Sequence, residues 1–187
     1  KNLIKLKVNK KISIIYKKKY DKIFFFKLLN KHKITHIYYF SGQSSVAKSD
    51  ILRFETIESN NKPLIDILEI LRIKKSKIKF LNAVSSEMFG TKKDKINEKS
   101  IVNPQSFYGL AKSLSYEISK TYREQFKLNI CNLILFNHES KLRPNYFIFK
   151  KIISEVKKLK NRQKNKKKLV LGNLNIKRDW GWAPEYV

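Results

Sequence analysis

The chain has 187 residues, 42% hydrophobic and 12% aromatic, which is enough apolar matter for one domain with a core and excludes a disordered tail. Its formal charge is +27, yet only six of the 42 basic residues are arginine, the residue whose fork suits phosphates and base edges. A single cysteine, Cys131, excludes an internal disulfide framework and points to a reducing compartment, the cytoplasm.

In chain order, the sequence opens on Lys1 and its only methionine is Met88, so a piece of a longer protein is expected. No apolar segment with a small-residue cleavage site marks a signal peptide. A first strand is predicted at 12–16 (ISIIY), then a helix over 20–31. Its patch IFFFKLL at 23–29 is far short of the ~20 apolar residues a membrane helix needs. Strands follow at 35–40 (THIYYF), 78–84 (IKFLNAV) and 129–136 (NICNLILF), with helices over 60–73 and 105–127 between them. A helix over 145–160, an exposed loop at 161–168 and a short strand LVLG at 169–172 complete the series. This alternation predicts an α/β fold with a mostly parallel sheet flanked by helices. The densest basic run, KKLKNRQKNKKK at 157–168, contains no aromatic to stack on a base. Lys, Ile, Asn and Phe abound while Gly and Pro number five and four, the skew of an AT-rich coding sequence, so no nucleic-acid partner is expected. Histidines at 32, 36 and 138 are too scattered to suggest a metal site.

The helix from 105 carries start signals: Asn103 and Pro104 mark the entry, and Ser106 can cap the first turn. Leu110, Leu114 and Ile118 are expected to form its packing face. Tyr108 and Lys112 share a neighbouring stripe and can point into one cavity. Their spacing alone carries little weight. Chance predicts about two Tyr-x-x-x-Lys matches in a chain this rich in lysine, and Tyr116/Lys120 and Tyr146/Lys150 match as well. Context singles out the first pair, because its helix follows a strand ending in Ser85-Ser86-Glu87. Ligands of open α/β sheets bind beyond the carboxyl ends of the strands.

FLNAVSSEMFG, NPQSFYGLAKSLSYEISKTYREQF, NLILFNHES and LGNLNIKRDWGWAPEYV together resemble the GDP-mannose 4,6-dehydratases, within the extended short-chain dehydrogenases/reductases. The similarity covers about 78–187, extends to THIYYFSGQSSVAKSD at 35–50, and is faint from 1 to 34. It implies an incomplete Rossmann-like, doubly wound sheet: one partial NAD(P)-binding domain over 1–187, with the start of a substrate-binding region at about 137–187. It also implies a lyase that uses NADP to turn GDP-mannose into GDP-4-keto-6-deoxymannose. Sugar C4 is oxidised, water leaves across C5 and C6, and hydride returns to C6. In that reading Tyr108 is the base at the C4 hydroxyl, and Lys112 holds the nicotinamide ribose. Ser85 bonds the C4 oxygen, and Glu87 takes the C5 proton. Gln43 joins the cofactor site, while Ser86, Asn137 and Arg178 meet the GDP-sugar. The family forms homo-oligomers.

Each residue also has a plainer reading. Ser85 and Ser86 can satisfy the last backbone groups of the strand, Glu87 can be a solvated carboxylate, Asn137 a turn residue, and Arg178 a partner of Asp179. The chain departs from the family pattern in several places. No glycine precedes Gly42, so the glycine-rich pyrophosphate turn is absent from these residues. Lys18 stands where an acidic residue near the adenine is expected, and Ser45 where relatives carry histidine. Ser41 and Gly42 replace small apolar residues, Lys141 a proline, and Phe149 a small polar residue. The alternatives are therefore an inactive truncated remnant, another nucleotide-sugar dehydratase or epimerase, or a basic nucleic-acid binder.

Overall fold

The computed structural model describes residues 6–8, 10–17, 19–91, 95–160, 169–172 and 174–186. The expected loop at 161–168, most of the basic run and Lys18 lie outside them. The chain divides into two units, Tyr16–Leu135 and Lys1–Ile15 with Phe136–Val187.

In the first unit the elements are α1 (Lys22–Lys31), β1 (His36–Tyr39), α2 (Val46–Ser49), α3 (Arg53–Ile73), β2 (Lys79–Ser85), a 3₁₀ turn (Ser86–Phe89), α4 (Phe107–Phe126) and β3 (Ile130–Leu135). The three strands form a parallel sheet in the order β1-β2-β3, His36 opposite Lys79 and Ser85 opposite Leu135. Parallel neighbours need long crossovers, and α3 and α4 supply them. The two helices pack against each other, which puts both on one face of the sheet. Leu64, Leu68, Leu71, Phe80 and Ile130 form the core beneath them. The expected parallel, helix-flanked sheet is the one observed.

Helix starts follow local chemistry. Asp21 Oδ1 accepts the Phe24 N–H at 3.0 Å, and Ser106 Oγ accepts the Gly109 N–H at 3.0 Å. Helix α3 starts seven residues before the expected Asn60, because the turn-like run Asn60-Asn61-Lys62-Pro63 is helical. Asn60 and Asn61 donate their side-chain amides back to the carbonyls of Thr56 (2.8 Å) and Ile57 (2.9 Å). The Asn60 carbonyl accepts the Tyr39 hydroxyl at 2.8 Å. Two back-bonds within the helix and one tertiary bond from Tyr39 thus accompany a helix that local propensity would break.

Two expected strands are absent. Residues 12–16 and 169–172 form no ladder, and Ile15, Tyr16 and Val170 are exposed. An apolar run becomes a strand only where a neighbouring edge offers hydrogen bonds, and among the described residues these runs pair with no strand. The expected packing stripe of α4 is corrected at two of its three residues, while Ile118 packs against the core as expected. Leu110 and Leu114 are 43% and 42% exposed, and Gly109, Ala111, Ser115 and Ser119 face inward instead. Small residues let α3 and β2 approach closely; leucines there would hold them apart.

The second unit pairs β4 (Asn137–Glu139) in parallel with β5 (Trp180–Trp182), Asn137 opposite Trp180, and carries α5 (Ile148–Lys160). Phe149 meets the Trp180 ring edge-on at 4.5 Å. No described helix is long and apolar enough to cross a membrane.

One ion-pair cluster ties α3 to α4 and gives an acid-limb prediction. Glu69 accepts Arg72 Nε (3.0 Å), Arg72 Nη2 (2.8 Å) and the Tyr122 hydroxyl (2.6 Å). The Arg72 bonds, then the Tyr122 bond, hold the Glu69 carboxyl at about 2 against an ordinary 4.5. A depressed carboxyl contributes stability above its ordinary value and loses it as pH falls through the folded one. Discounted for solvent at a partly exposed pair, the loss between pH 4.5 and 2 is about 1–2 kcal/mol. Urea midpoints across that range should fall for the wild type and fall less for Glu69→Gln.

Candidate active site

The carboxyl end of β2 builds the site. Ser85 closes the strand, and its Oγ accepts the Glu87 N–H at 3.3 Å, turning the chain into the 3₁₀ turn. The turn is anchored by its apolar half: Met88 and Phe89 are buried with Val84, against Val102, Tyr116 and Ile134. Ser86 and Glu87, the polar half, remain half-buried at the rim. Gly90 follows at φ +64, a conformation that glycine adopts without strain, with no room for a Cβ beside the Asn103 carbonyl. The loop then returns, and Asn103 N–H donates to the Met88 carbonyl at 2.9 Å. That return delivers the first turn of α4 onto the Ser-Ser-Glu segment. Gly109 is the contact point, since a Cβ there would lie 2.6 Å from the Glu87 carbonyl.

Tyr108 and Lys112 are therefore set on the side of α4 that faces β2. Lys112 Nζ donates to the Ala83 carbonyl at 2.9 Å and lies 5.9 Å from the centre of the Tyr108 ring. Ala83 is two residues before Ser85 on the same strand. Lys112 is only 6% exposed, and burial alone lowers its ammonium pKa from 10.5 to about 8. It remains mostly protonated at neutral pH, a cation beside a phenol. Such an ammonium stabilises a phenolate and keeps N–H donors beyond the one spent on Ala83. Those donors suit an oxygen acceptor such as a hydroxyl.

The structure thus brings together Ser85, Ser86, Glu87, Tyr108 and Lys112. Gln43 lies in the loop after β1, at the same end of the parallel sheet, but its side chain is spent locally. Its Nε2 donates to the Ser45 carbonyl (2.9 Å) and Thr56 Oγ1 (3.1 Å), and its Oε1 accepts the Ser45 N–H. Asn137 and Arg178 belong to the other unit. Asn137 opens β4, and Arg178, exposed two residues before β5, donates to the Lys177 carbonyl rather than to Asp179. The hollow lined by Ile23, Phe26, Ile70 and Ile73 is apolar and includes none of these residues. Residue pattern did not point to the Ala83 carbonyl or to Gly109. With only five glycines in the chain, the one next to Tyr108 was the available signal.

The family model described as GDP-mannose 4,6 dehydratase matches residues 1–187. GDP-mannose 4,6 dehydratase 2 of Caenorhabditis elegans is 38% identical over 166 residues, 86% of this chain and 42% of the worm protein. GDP-mannose 4,6 dehydratase of Homo sapiens is 36% identical over 165 residues, 86% of this chain and 44% of the human protein. The chain thus spans less than half the length of these relatives. Among solved structures, UDP-glucuronic acid 4-epimerase from Bacillus cereus, in complex with UDP-glucuronic acid and NAD, gives a TM-score of 0.80 at 21% identity. The match covers 99% of this chain and 56% of that one. RMD from Pseudomonas aeruginosa, complexed with NADPH, gives 0.74 at 17% identity over 81% of this chain and 53% of that one. At those identities the likeness is one of fold.

Proposed function

We propose, on the premise that this chain belongs to the GDP-mannose 4,6 dehydratase family, that the protein is a lyase converting GDP-mannose to GDP-4-keto-6-deoxymannose with a nicotinamide cofactor, NADP in our reading. The observation that carries it is the buried Lys112 ammonium, bonded to Ala83 at the end of β2 beside Tyr108. Lys112, with Gln43 and Tyr108, would hold the cofactor, which when bound supplies the hydride acceptor and donor that the sugar needs.

The chain's own residues do the proton work. Tyr108 takes the C4 hydroxyl proton, and the Lys112 charge favours the phenolate that does so. Ser85 Oγ accepts from Glu87 N–H, so its own O–H remains to donate to the C4 oxygen. Glu87 removes the proton from C5 once C4 is a ketone, because the carbonyl acidifies its neighbour. The same carboxyl then protonates the departing C6 hydroxyl, which leaves as water. Ser86, Asn137 and Arg178 hold the GDP-sugar. Residues 1–187 act as part of a nucleotide-binding domain, with a substrate-binding region beginning near 137, in a homo-oligomeric cytoplasmic enzyme.

Incubation with GDP-mannose and NADP should yield a 4-keto sugar, detected by its absorbance in alkali. Turnover of a UDP-sugar in its place would overturn the substrate assignment. A second reading, an inactive remnant, is in line with Gln43, whose side-chain amide is spent on the Ser45 carbonyl and Thr56 Oγ1. It predicts no heat when NADP is titrated into the protein, and a measurable binding isotherm would reject it.

A further inference from the structure

Behind the site lies a set of buried polar side chains that the chemistry above does not use. Asn82 is fully buried on β2, directly before the Ala83 whose carbonyl holds Lys112. Its Nδ2 shares two hydrogens among three acceptors, the Ser115 carbonyl (3.2 Å) and Ser119 Oγ (2.8 Å) on α4 and Asn132 Oδ1 (3.0 Å) on β3, while its Oδ1 is buried without a partner. Asn132 Nδ2 donates in turn to the Tyr116 carbonyl at 3.4 Å. On the other flank, Ser115 Oγ donates to Asn61 Oδ1 on α3 at 2.8 Å. One amide therefore touches two elements besides its own strand, and the set spans α3, α4, β2 and β3.

Burying amides and hydroxyls is unfavourable unless they are bonded, and bonding fixes geometry in a way apolar contact does not. Sliding α4 along β2 would leave these donors unpaired, with no water to replace their partners. The inward face of α4 is otherwise small residues, Gly109, Ala111, Ser115 and Ser119, which set a short distance but no register. The register matters because Tyr108 and Lys112 ride on the same helix. Ser115 is one residue beyond a helical half-turn from Lys112, and Asn82 is one residue from Ala83.

We propose that Asn82 is a positioning residue, which sets the register of α4 on β2 through Ser115, Ser119 and Asn132 and so seats Lys112 on the Ala83 carbonyl beside Tyr108. This rests on the dehydratase reading for its catalytic meaning, but its physical content is tested without substrate.

The test follows Lys112 itself. Site-resolved acetylation, read by peptide mass spectrometry across pH, gives the midpoint at which Lys112 becomes reactive. In the wild type it should fall near 8, where burial alone holds it, with no contribution from a neighbouring charge. Asn82→Leu keeps the volume and removes the donors. Its Lys112 midpoint should rise by at least about one unit toward an ordinary lysine as the ammonium leaves its buried seat. Asn82→Gln, which restores an amide, should bring it back. Hydrogen exchange at Leu64, Leu68 and Leu71 monitors the core throughout. A folded Asn82→Leu with an unmoved midpoint overturns the proposal, as does a Gln variant that behaves like Leu. If Asn82→Leu loses its core, the double variant Ser119→Ala/Asn132→Leu decides, since it leaves the two Asn82 amide hydrogens only the Ser115 carbonyl. A raised midpoint supports the assignment, and an unchanged one rejects it. A shifted Lys112 in a protein that never turns over GDP-mannose would sink the dehydratase reading alone.

Discussion

Tyr108→Phe is expected to lower GDP-mannose turnover by about 10²–10⁴-fold, the usual worth of a positioned acid–base group, while changing the KM for GDP-mannose far less. The substitution deletes one oxygen and keeps the ring. Gly109 still lets the first turn of α4 sit against the Glu87 carbonyl, and the Lys112 ammonium still has a ring beside it. The proton acceptor is lost, and in the proposed chemistry its task lies in the transition state rather than in the bound sugar. A loss confined to kcat is the signature of such an interaction. The rival view makes Tyr108 a packing residue whose spacing to Lys112 is accidental, as at Tyr116/Lys120 and Tyr146/Lys150. That view predicts turnover within a few-fold of the wild type. Steady-state kinetics across GDP-mannose concentrations separates the two, and the matching Tyr116→Phe variant supplies the baseline for losing a phenol oxygen from the same helix.

How much of this was legible in the residues depends on what each inference needed. The strands at His36–Tyr39, Lys79–Ser85 and Ile130–Leu135 were legible because each is an apolar run set between helices long enough for a crossover. ISIIY at 12–16 looks the same on paper. Its fate depends on whether a partner edge is present, and an edge is not encoded in the run itself. The start of α3 was misplaced because Asn60, Asn61 and Pro63 favour turns locally. Their helical state is held by back-bonds to Thr56 and Ile57 and by Tyr39, 21 residues away. The face of α4 was misread for a different reason. Hydrophobicity marked Leu110 and Leu114, but the constraint was size, and only Gly109, Ala111, Ser115 and Ser119 let the helices close.

The site shows the same division. The order of Ser85, Glu87, Tyr108 and Lys112 could be read, since motif and topology agree on the carboxyl end of a strand. What seats Lys112 could not, because its partner is a backbone carbonyl and Ala83 has no side-chain chemistry to announce it. The Asn82 set was equally silent. An asparagine in an apolar run reads as a flaw in a strand until its three partners on α4 and β3 are known.

The burial of Lys112 has its own thermodynamic consequence. Its ammonium loses its proton near pH 8 in the folded chain and near 10.5 when exposed. Below pH 8 both states carry the proton, and the folded state bears the full cost of a buried charge. Between 8 and 10.5 the folded state has released it while the unfolded state still binds it, so stability rises with pH. A gap of that size corresponds to about 3 kcal/mol, undiscounted because the side chain is almost fully enclosed. Tyr39, buried with its phenol pushed up, acts in the opposite direction once unfolded tyrosines ionise near 10. It does so equally in the wild type and in Lys112→Met, and cancels between them. The difference in unfolding free energy, wild type minus Lys112→Met, should therefore climb by up to about 3 kcal/mol from pH 7 to 10 in urea titrations. Parallel curves would mean that Lys112 holds its proton as an exposed lysine does, and a lysine in water cannot be the enclosed cation that Tyr108 needs.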